Sequence, residues 1–440
     1  MYKQSIYNLR VNRIEKKILL YNSHSESLSC IENDVCDYLD NLNDNSRPET
    51  FKWFKQLKTM GYIVPKDFNE YNFFLFQYRN LQFSHYTNEL TYIIAPTTFC
   101  NFNCSYCFEN GIDSHVMESN TIENLVAYIK KSIEGQKDLK RLNIDWFGGE
   151  PLLEKNIIYY ISSQIKDFAK KANIDFKASL ITNGYYLDEK TVLSLYEQCN
   201  ISYIQITLDG GEADSCKRKG ISGEQFHTIL RNLKNAYNFF DMSLRFNTDK
   251  YNYESIKILC EEELFLDVHL KEKVSIYIAP ITSISSGEQS CLNTNEFSKL
   301  KIDFSKFLLE NGCYKSVTKA FPRAKYISCG ALMRNNFIID SRGNLYKCDK
   351  HMGKDIYIVG NVEKGRNYSD AELVFSELPM LSSCSKCSIY PICRGGCAMD
   401  RISSKNQVNC SMKEEEIKSL LPLYFEATRL NRTSNFEQFY

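Results

Sequence analysis

The chain has 440 residues, of which 43% are apolar and 25% charged, with 19 glycines and 9 prolines; this excludes a single small module, a disordered chain and a fibre. Lys plus Arg and Asp plus Glu both number 54, so no net field draws the whole molecule to nucleic acid or to an anionic membrane. The first 17 residues have no apolar core of an export signal, and no stretch approaches the roughly 18 apolar residues of a membrane span, which predicts a cytoplasmic chain.

Residues 1–88 form a module of their own. Strand-like runs at Ile6 to Val11 and Ile18 to Tyr21 precede helical segments at Glu32 to Leu42 and Glu49 to Met60. Gly61 closes the second helix, and Tyr62-Ile63-Val64-Pro65 reads as an edge strand because proline cannot donate within a central ladder. This order is winged-helix-like.

From Glu89 a regular alternation begins. Strands are predicted at Leu90 to Pro96, Leu142 to Phe147, Phe176 to Thr182, Ile201 to Leu208, Ser243 to Asn247 and Val274 to Ile281, separated by segments with helical apolar spacing. Repeated β-α units imply a parallel sheet with helices over its outer face, and six of them make a partial (β/α)6 TIM-like barrel over residues 89–300. Chemistry in such a fold belongs at the carboxyl ends of the strands. After about Ser285 the rhythm fades, and residues 301–440 form a Cys-rich domain with a last helix from Met412 to Asn431.

The 17 cysteines of a chain in a reducing compartment suggest metal binding rather than disulfides. Directly after the first strand stands Cys100-x3-Cys104-x2-Cys107, a spacing expected by chance only about 0.025 times in such a chain. Three thiolates can hold three irons of a [4Fe-4S] cube and leave the fourth free to chelate a substrate. The bland alternatives are a three-Cys zinc site completed from outside, or unrelated buried thiols. The second strand runs into Gly148-Gly149-Glu150-Pro151, where two glycines admit close approach of a ligand and the carboxylate can accept from an ammonium group. Thr182-Asn183-Gly184 ends the third strand and Thr207-Leu208-Asp209-Gly210 the fourth. Each is a common turn signal alone; their shared position at one end of successive strands makes a site.

In these features the stretch from Glu89 to Ile281 resembles the radical S-adenosylmethionine (SAM) enzymes. The resemblance implies that Cys100, Cys104 and Cys107 hold a [4Fe-4S] cluster, that SAM chelates its open iron, that Gly148, Gly149 and Glu150 meet the SAM amino group, and that Thr207 lies near the ribose. A basic residue meeting the SAM carboxylate falls among Lys217, Arg218 and Lys219. Cleavage of SAM to a 5′-deoxyadenosyl radical would then remove a hydrogen atom from an unactivated carbon, chemistry that no side chain performs unaided.

The last third carries Cys329, Cys348, Cys384-x2-Cys387-x5-Cys393-x3-Cys397 and Cys410. Paired spacings also suit structural zinc. The order and spacing of the seven resemble the SPASM domain, the auxiliary-cluster extension of peptide-modifying radical SAM enzymes. That resemblance implies a nearer [4Fe-4S] cluster on Cys329, Cys348 and Cys397 and a farther one on Cys384, Cys387, Cys393 and Cys410, three clusters in all. Some relatives carry an eighth cysteine where this chain has Arg323, so Cys313 or an open site completes the nearer cluster. Cys30, Cys36, Cys199, Cys216, Cys260 and Cys291 are read as packing thiols.

Two substrates fit this equipment. One is a ribosomal precursor peptide receiving an oxidative thioether, carbon-carbon or carbon-oxygen cross-link, because residues 1–88 resemble the RiPP recognition element, which captures a leader peptide as an added strand. The other is a sulfatase Cys or Ser oxidised to formylglycine, because Asp349 follows Cys348, as the catalytic base does in sulfatase maturases. Asp349 could equally deprotonate a thiol or hydroxyl during cross-linking, or be a solvated carboxylate of no catalytic use. The 88 extra residues favour peptide maturation. Either enzyme needs an electron donor such as flavodoxin or ferredoxin, with no nucleic-acid or membrane partner. A non-catalytic iron-sulfur or zinc protein is the reading of another class.

Overall fold

A computed structural model describes residues 1–14, 17–42, 48–83, 88–282, 290–379, 381–404, 410 and 412–431. The chain divides into two units. The first gathers Met1–Phe83, Ser298–Cys329 and Leu378–Tyr440, and the second Ser84–Phe297 and Gly330–Glu377.

In the first unit, β1 (Tyr2–Gln4) pairs antiparallel with β5 (Ile63–Pro65), while β2 (Asn8–Ile14), β3 (Lys17–Asn22) and β4 (Leu28–Ile31) form a meander in that order. The helices α1 (Asn33–Asp40) and α2 (Phe54–Thr59) close over it, and Leu20, Ile31, Val35, Cys36, Leu39, Leu57, Tyr62 and Ile63 make the shared core. Gly61 adopts φ +78°, the left-handed turn that stops a helix, and throws the chain into β5. Pro65 is tolerated because β5 pairs on one side only. The strands β1 and β4 and the aromatic-rich helix α3 (Glu70–Phe83) add to the elements expected from the sequence.

Segments from the other end of the chain complete this unit. Tyr21 Oη donates to the Pro322 carbonyl, Tyr71 Oη to Leu381 O at 3.1 Å, and Ser23 Oγ to Ser388 O at 2.5 Å. The last described helix, Glu414–Leu430, matches the expected one within two residues and accommodates Pro422.

The second unit is built on a ten-stranded sheet in which β6 (Glu89–Ile94), β7 (Arg141–Trp146), β8 (Asp175–Thr182), β9 (Ile201–Leu208), β10 (Asp241–Thr248) and β11 (Val274–Pro280) are consecutive parallel neighbours. All six predicted strands are present. Alternation explains the architecture: Leu142, Ile144 and Trp146 of β7 are buried, as are Ile204, Ile206 and Leu208 of β9. Asn143, Asp145 and Thr207 on the opposite face are only half-buried. One face is thus capped by amphipathic helices such as α4 (Ser119–Glu134), α5 (Lys155–Lys171) and α8 (Gly223–Ala236), and the other lines the interior of a partial barrel. Sequence rhythm did not signal the other side of β6. There β12 (Asn336–Ile339) adds a seventh parallel strand, followed by the short antiparallel β13 (Asn344–Tyr346), β14 (Gly360–Asn361) and β15 (Gly365–Arg366).

Candidate functional site

The parallel strands of the second unit deliver their carboxyl ends to one edge, and the residues singled out by sequence gather there. The two glycines after β7 pack directly against the cysteine loop. A Cβ on Gly148, at φ +114°, would lie 2.5 Å from Thr97 O; one on Gly149 would lie 2.2 Å from Phe99 O. The backbone leading to Cys100 approaches both glycines this closely. Gly149 N donates to Thr97 O at 3.2 Å and Glu150 N to Phe99 O at 2.8 Å, so the second strand end clamps the cysteine loop.

Glu150 is 1% exposed. Its carboxylate accepts from Leu152 N at 3.0 Å, Thr182 Oγ1 at 2.7 Å and Asn183 N at 2.8 Å. These bonds tie the ends of β7 and β8 together and leave about one of the roughly four acceptor positions of a carboxylate for a ligand. Burial pushes its pKa up to about 6 against the opposing pull of these donors and of Lys219. Asn183 Nδ2 in turn donates to Asn101 Oδ1 at 2.9 Å inside the cysteine loop.

The end of β9 leads into α7 (Glu212–Lys219), whose final carbonyls hold the other half of the same loop. Asn103 N donates to Lys219 O and Ser105 N to Arg218 O, both at 3.0 Å. The three basic candidates are thereby separated. Lys217 is exposed. Arg218 is engaged, with Nη1 3.0 Å from Asp249 Oδ2 and its guanidinium 5.6 Å from the Tyr106 ring centroid. Lys219 is 2% exposed, its Nζ 3.2 Å from Thr207 Oγ1 and 3.9 Å from Asp209 Oδ1, and its charge favours ionisation of both Cys104 and Glu150. Tyr106 Oη donates to Asp209 Oδ2 at 2.5 Å and accepts from Asn247 Nδ2 at 3.1 Å. Sequence reasoning passed over Tyr106, Asn247 and Asp249; for Tyr106 its place inside the cysteine motif was a usable signal. Asn101 Nδ2, Asp209 Oδ1 and Arg218 Nε are buried without a hydrogen-bond partner, the condition of a site that a polar ligand completes.

The three thiols sense one another. Burial pushes Cys100 up to about 11, with Glu150, Cys104 and Cys107 adding to the shift, and burial likewise raises Cys104 and Cys107. Thiols so disfavoured as anions become ligands only when a metal supplies the positive charge, so the donor set fits a cluster. The Phe102 amide already donates to Cys100 Sγ at 3.4 Å.

Cys348 follows β13, and its Sγ lies 3.4 Å from Asp349 Oδ1, which also accepts from Lys350 N at 3.0 Å. Asp349 is exposed. Facing it electrostatically is Glu109, which sequence reasoning did not select. Glu109 is 9% exposed with Oε1 unpartnered, and burial, then the Asp349 charge, push its pKa up to about 8.

In the first unit, Cys384, Cys387, Cys393 and Cys410 are brought together: burial and then the neighbouring Cys387, Cys393 and Cys410 raise the Cys384 thiol. The chain reverses between Cys393 and Cys397 through three left-handed residues, Arg394 (φ +55°), Gly395 and Gly396 (both +83°). Cys329 and Cys397 belong to the first unit and Cys348 to the second. Cys313 is fully buried at the start of the helix Tyr314–Lys319. Of the thiols read as packing, Cys36, Cys199 and Cys260 are buried and Cys30, Cys216 and Cys291 half-buried. Among the described residues, no three His, Cys, Asp or Glu side chains already surround one metal ion.

Residues 94–261 match the model of the radical SAM superfamily. The chain is 23% identical over 361 residues to a cysteine-type anaerobic sulfatase-maturating enzyme of Clostridium perfringens (strain 13 / Type A), covering 72% of this chain and 91% of that protein. It is 27% identical over 276 residues to the radical SAM cyclopropyl synthase TigE of Paramaledivibacter caminithermalis, covering 56% of each. Two solved structures share the fold. The anSMEcpe complex with AdoMet and Cp18Cys peptide has a TM-score of 0.56 at 18% identity, covering 79% of this chain and 99% of that one. Streptococcus suis SuiB bound to precursor peptide SuiA has a TM-score of 0.53 at 14% identity, covering 94% and 99%.

Proposed function

We propose, from the premise that this chain carries a radical SAM domain and is an enzyme of that superfamily, that it is a peptide maturase which oxidatively cross-links a ribosomal precursor. The observation that carries the reading is the convergence of four strand ends on the loop of Cys100, Cys104 and Cys107, through Glu150, Asn183, Asp209 and Asn247.

Those three thiols would hold a [4Fe-4S] cluster, and cluster and SAM together would supply a radical able to remove a hydrogen atom from carbon. The chain's own residues position and shield. Lys219 is the basic group placed to meet a carboxylate beside Thr207, since Arg218 is committed to Asp249. Glu150 keeps one acceptor position for an ammonium group. The amide donors from Gly149 and Glu150 fix the cysteine loop, so that the site is formed before its ligand arrives. Cys384, Cys387, Cys393 and Cys410 would hold an auxiliary cluster, and the SPASM resemblance implies a further one on Cys329, Cys348 and Cys397; such clusters would give the electron left on the substrate an exit.

A peptide partner has support in the first unit. The strand β4 is a sheet edge, and beside it lies a cavity of about 210 Å³ lined by Ser29, Ile31, Trp53, Leu57, Met60 and Tyr62, the setting in which an extended peptide adds a strand. Formylglycine formation is the second reading. It is favoured by the sulfatase-maturase relative and by the Asp349 carboxylate beside Cys348, which could take a proton from a substrate thiol or hydroxyl.

The test is incubation of the anaerobically reconstituted enzyme with SAM, reductant and a peptide encoded beside its gene. A product lighter by two hydrogens with no aldehyde establishes the cross-link; an aldehyde establishes formylglycine; no deoxyadenosine under strong reductant refutes both.

A further inference from the structure

The first unit buries two guanidinium groups that form no ion pair with a carboxylate among the described residues. Arg394 is 3% exposed; its Nε donates to Tyr326 O at 3.0 Å, but Nη1 and Nη2 are buried with no hydrogen-bond partner. Arg401 is 5% exposed; one Nη donates to the Pro379 carbonyl, and its Nε is unpartnered. Around Arg394 stand aromatic rings, with the Tyr390, Phe74 and Tyr78 centroids 4.4, 5.1 and 5.7 Å away. Cation-π attraction of this kind offsets only a part of what it costs to take a guanidinium out of water. Desolvation pulls the pKa of both arginines down.

An anion is missing from this arrangement, and its position is defined. The core of Tyr7, Phe74 and Tyr390 that receives Arg394 also packs against Cys384 and Cys387, and Cys384 is the thiol that favours the charged form of Arg401. Glu414, the carboxylate that faces Cys387, is neutralised by Lys418 at 2.6 Å, so it does not supply the balancing charge. A [4Fe-4S] cube on four thiolates does. It carries two negative charges when oxidised and three when reduced.

We infer that Arg394 and Arg401 are positioning residues for the cluster on Cys384, Cys387, Cys393 and Cys410, and that they raise its reduction potential by stabilising the added electron. This rests on the proposed auxiliary cluster and deepens it. The charge of a cluster sets its potential, and two buried guanidinium charges, Arg401 within electrostatic reach of Cys384 and Arg394 in the aromatic core against which Cys384 and Cys387 pack, act through it. A raised potential makes this cluster an electron acceptor, suited to drawing an electron out of the substrate and poor at reducing SAM.

The experiment is a potentiometric titration of the fully reconstituted holoenzyme, followed by electron paramagnetic resonance, for wild type, Arg394→Met and Arg394→Lys. Loss of the charge is expected to disfavour reduction of one auxiliary cluster at least tenfold, a shift of about 59 mV to lower potential for a one-electron couple. The SAM-binding cluster should keep its potential, and the lysine variant should recover most of the shift. An unchanged auxiliary potential at wild-type iron content overturns the inference and leaves the arginines as packing groups of an aromatic core. Should Arg394→Met lose the cluster, Arg401→Gln provides the same reading through the second guanidinium: a shift supports the inference and none refutes it. A wild-type protein with zinc in place of this cluster refutes the underlying assignment, which metal analysis distinguishes from a mere absence of tuning.

Discussion

Gly149→Ala tests the clamp on the cysteine loop. The added methyl would meet three backbone atoms, Phe99 O at 2.2 Å, Phe99 C at 2.5 Å and Thr98 O at 2.7 Å, none of which can swing aside as a side chain end would. Relief requires the loop to withdraw, breaking Gly149 N to Thr97 O and Glu150 N to Phe99 O. Two hydrogen bonds at about 1 kcal/mol each and an overpacking cost of about 1 to 3 kcal/mol sum to about 3 to 5 kcal/mol, or on the order of 10 °C in melting temperature for a unit of this size. The thiols would also lose their register toward one another. The assay is anaerobic thermal unfolding of the reconstituted protein together with SAM-dependent deoxyadenosine release. Gly135→Ala serves as control. Gly135 has an ordinary helical φ of −72°, and its nearest contact would be Lys131 O at 3.3 Å, so a change within about 1 kcal/mol is expected. A Gly149→Ala protein with wild-type melting and wild-type deoxyadenosine release would refute the clamp.

Lys219→Met is expected to weaken equilibrium SAM binding about 10- to 100-fold, the worth of one hydrogen bond to a charged group, at unchanged iron content, whereas Lys217→Met at an exposed position leaves it unaltered. Cys104→Ala abolishes deoxyadenosine formation, while Cys384→Ala lowers iron content and spares SAM binding; metal analysis and binding isotherms separate the two. For Glu150 the folded pKa of about 6 lies above the ordinary glutamate value of 4.5, so its contribution to stability is fully present below about pH 4.5 and is lost as pH rises through 6, by on the order of 2 kcal/mol. Glu150→Gln should therefore flatten the change in urea midpoint between pH 5 and 7.5, and an identical slope in both proteins would contradict this. Asp349→Asn should leave deoxyadenosine release intact and suppress the modified product if that carboxylate accepts the substrate proton; mass spectrometry of the peptide shows which happens.

The six parallel strands were legible because each carries an unbroken apolar face, and the cysteine spacings were legible because thiols at fixed intervals have few other uses. What escaped depends on contacts distant in sequence. β12 is four residues long and joins the parallel strands through pairing with β6, 245 residues earlier by the Asn336 and Thr91 register. The glycines of GGEP were correctly read as permitting close approach, yet only the fold shows that a neighbouring loop is what approaches. Glu109 gave no signal because a glutamate is ordinarily solvated; its burial comes from the loop around it. The pairing of Arg218 with Asp249, 31 residues later in the chain, carries no motif and escaped the sequence.

The first unit joins both ends of the polypeptide, through bonds spanning 301, 310 and 365 residues. On the ribosome, at roughly 5 to 20 residues per second, the opening segment therefore waits on the order of 20 to 70 seconds for its complement to emerge. Throughout that interval Tyr7, Phe74 and their neighbours lack their late-synthesised cover, Tyr390 among it. The apolar surface of this segment is therefore exposed on the nascent chain until those residues have been made.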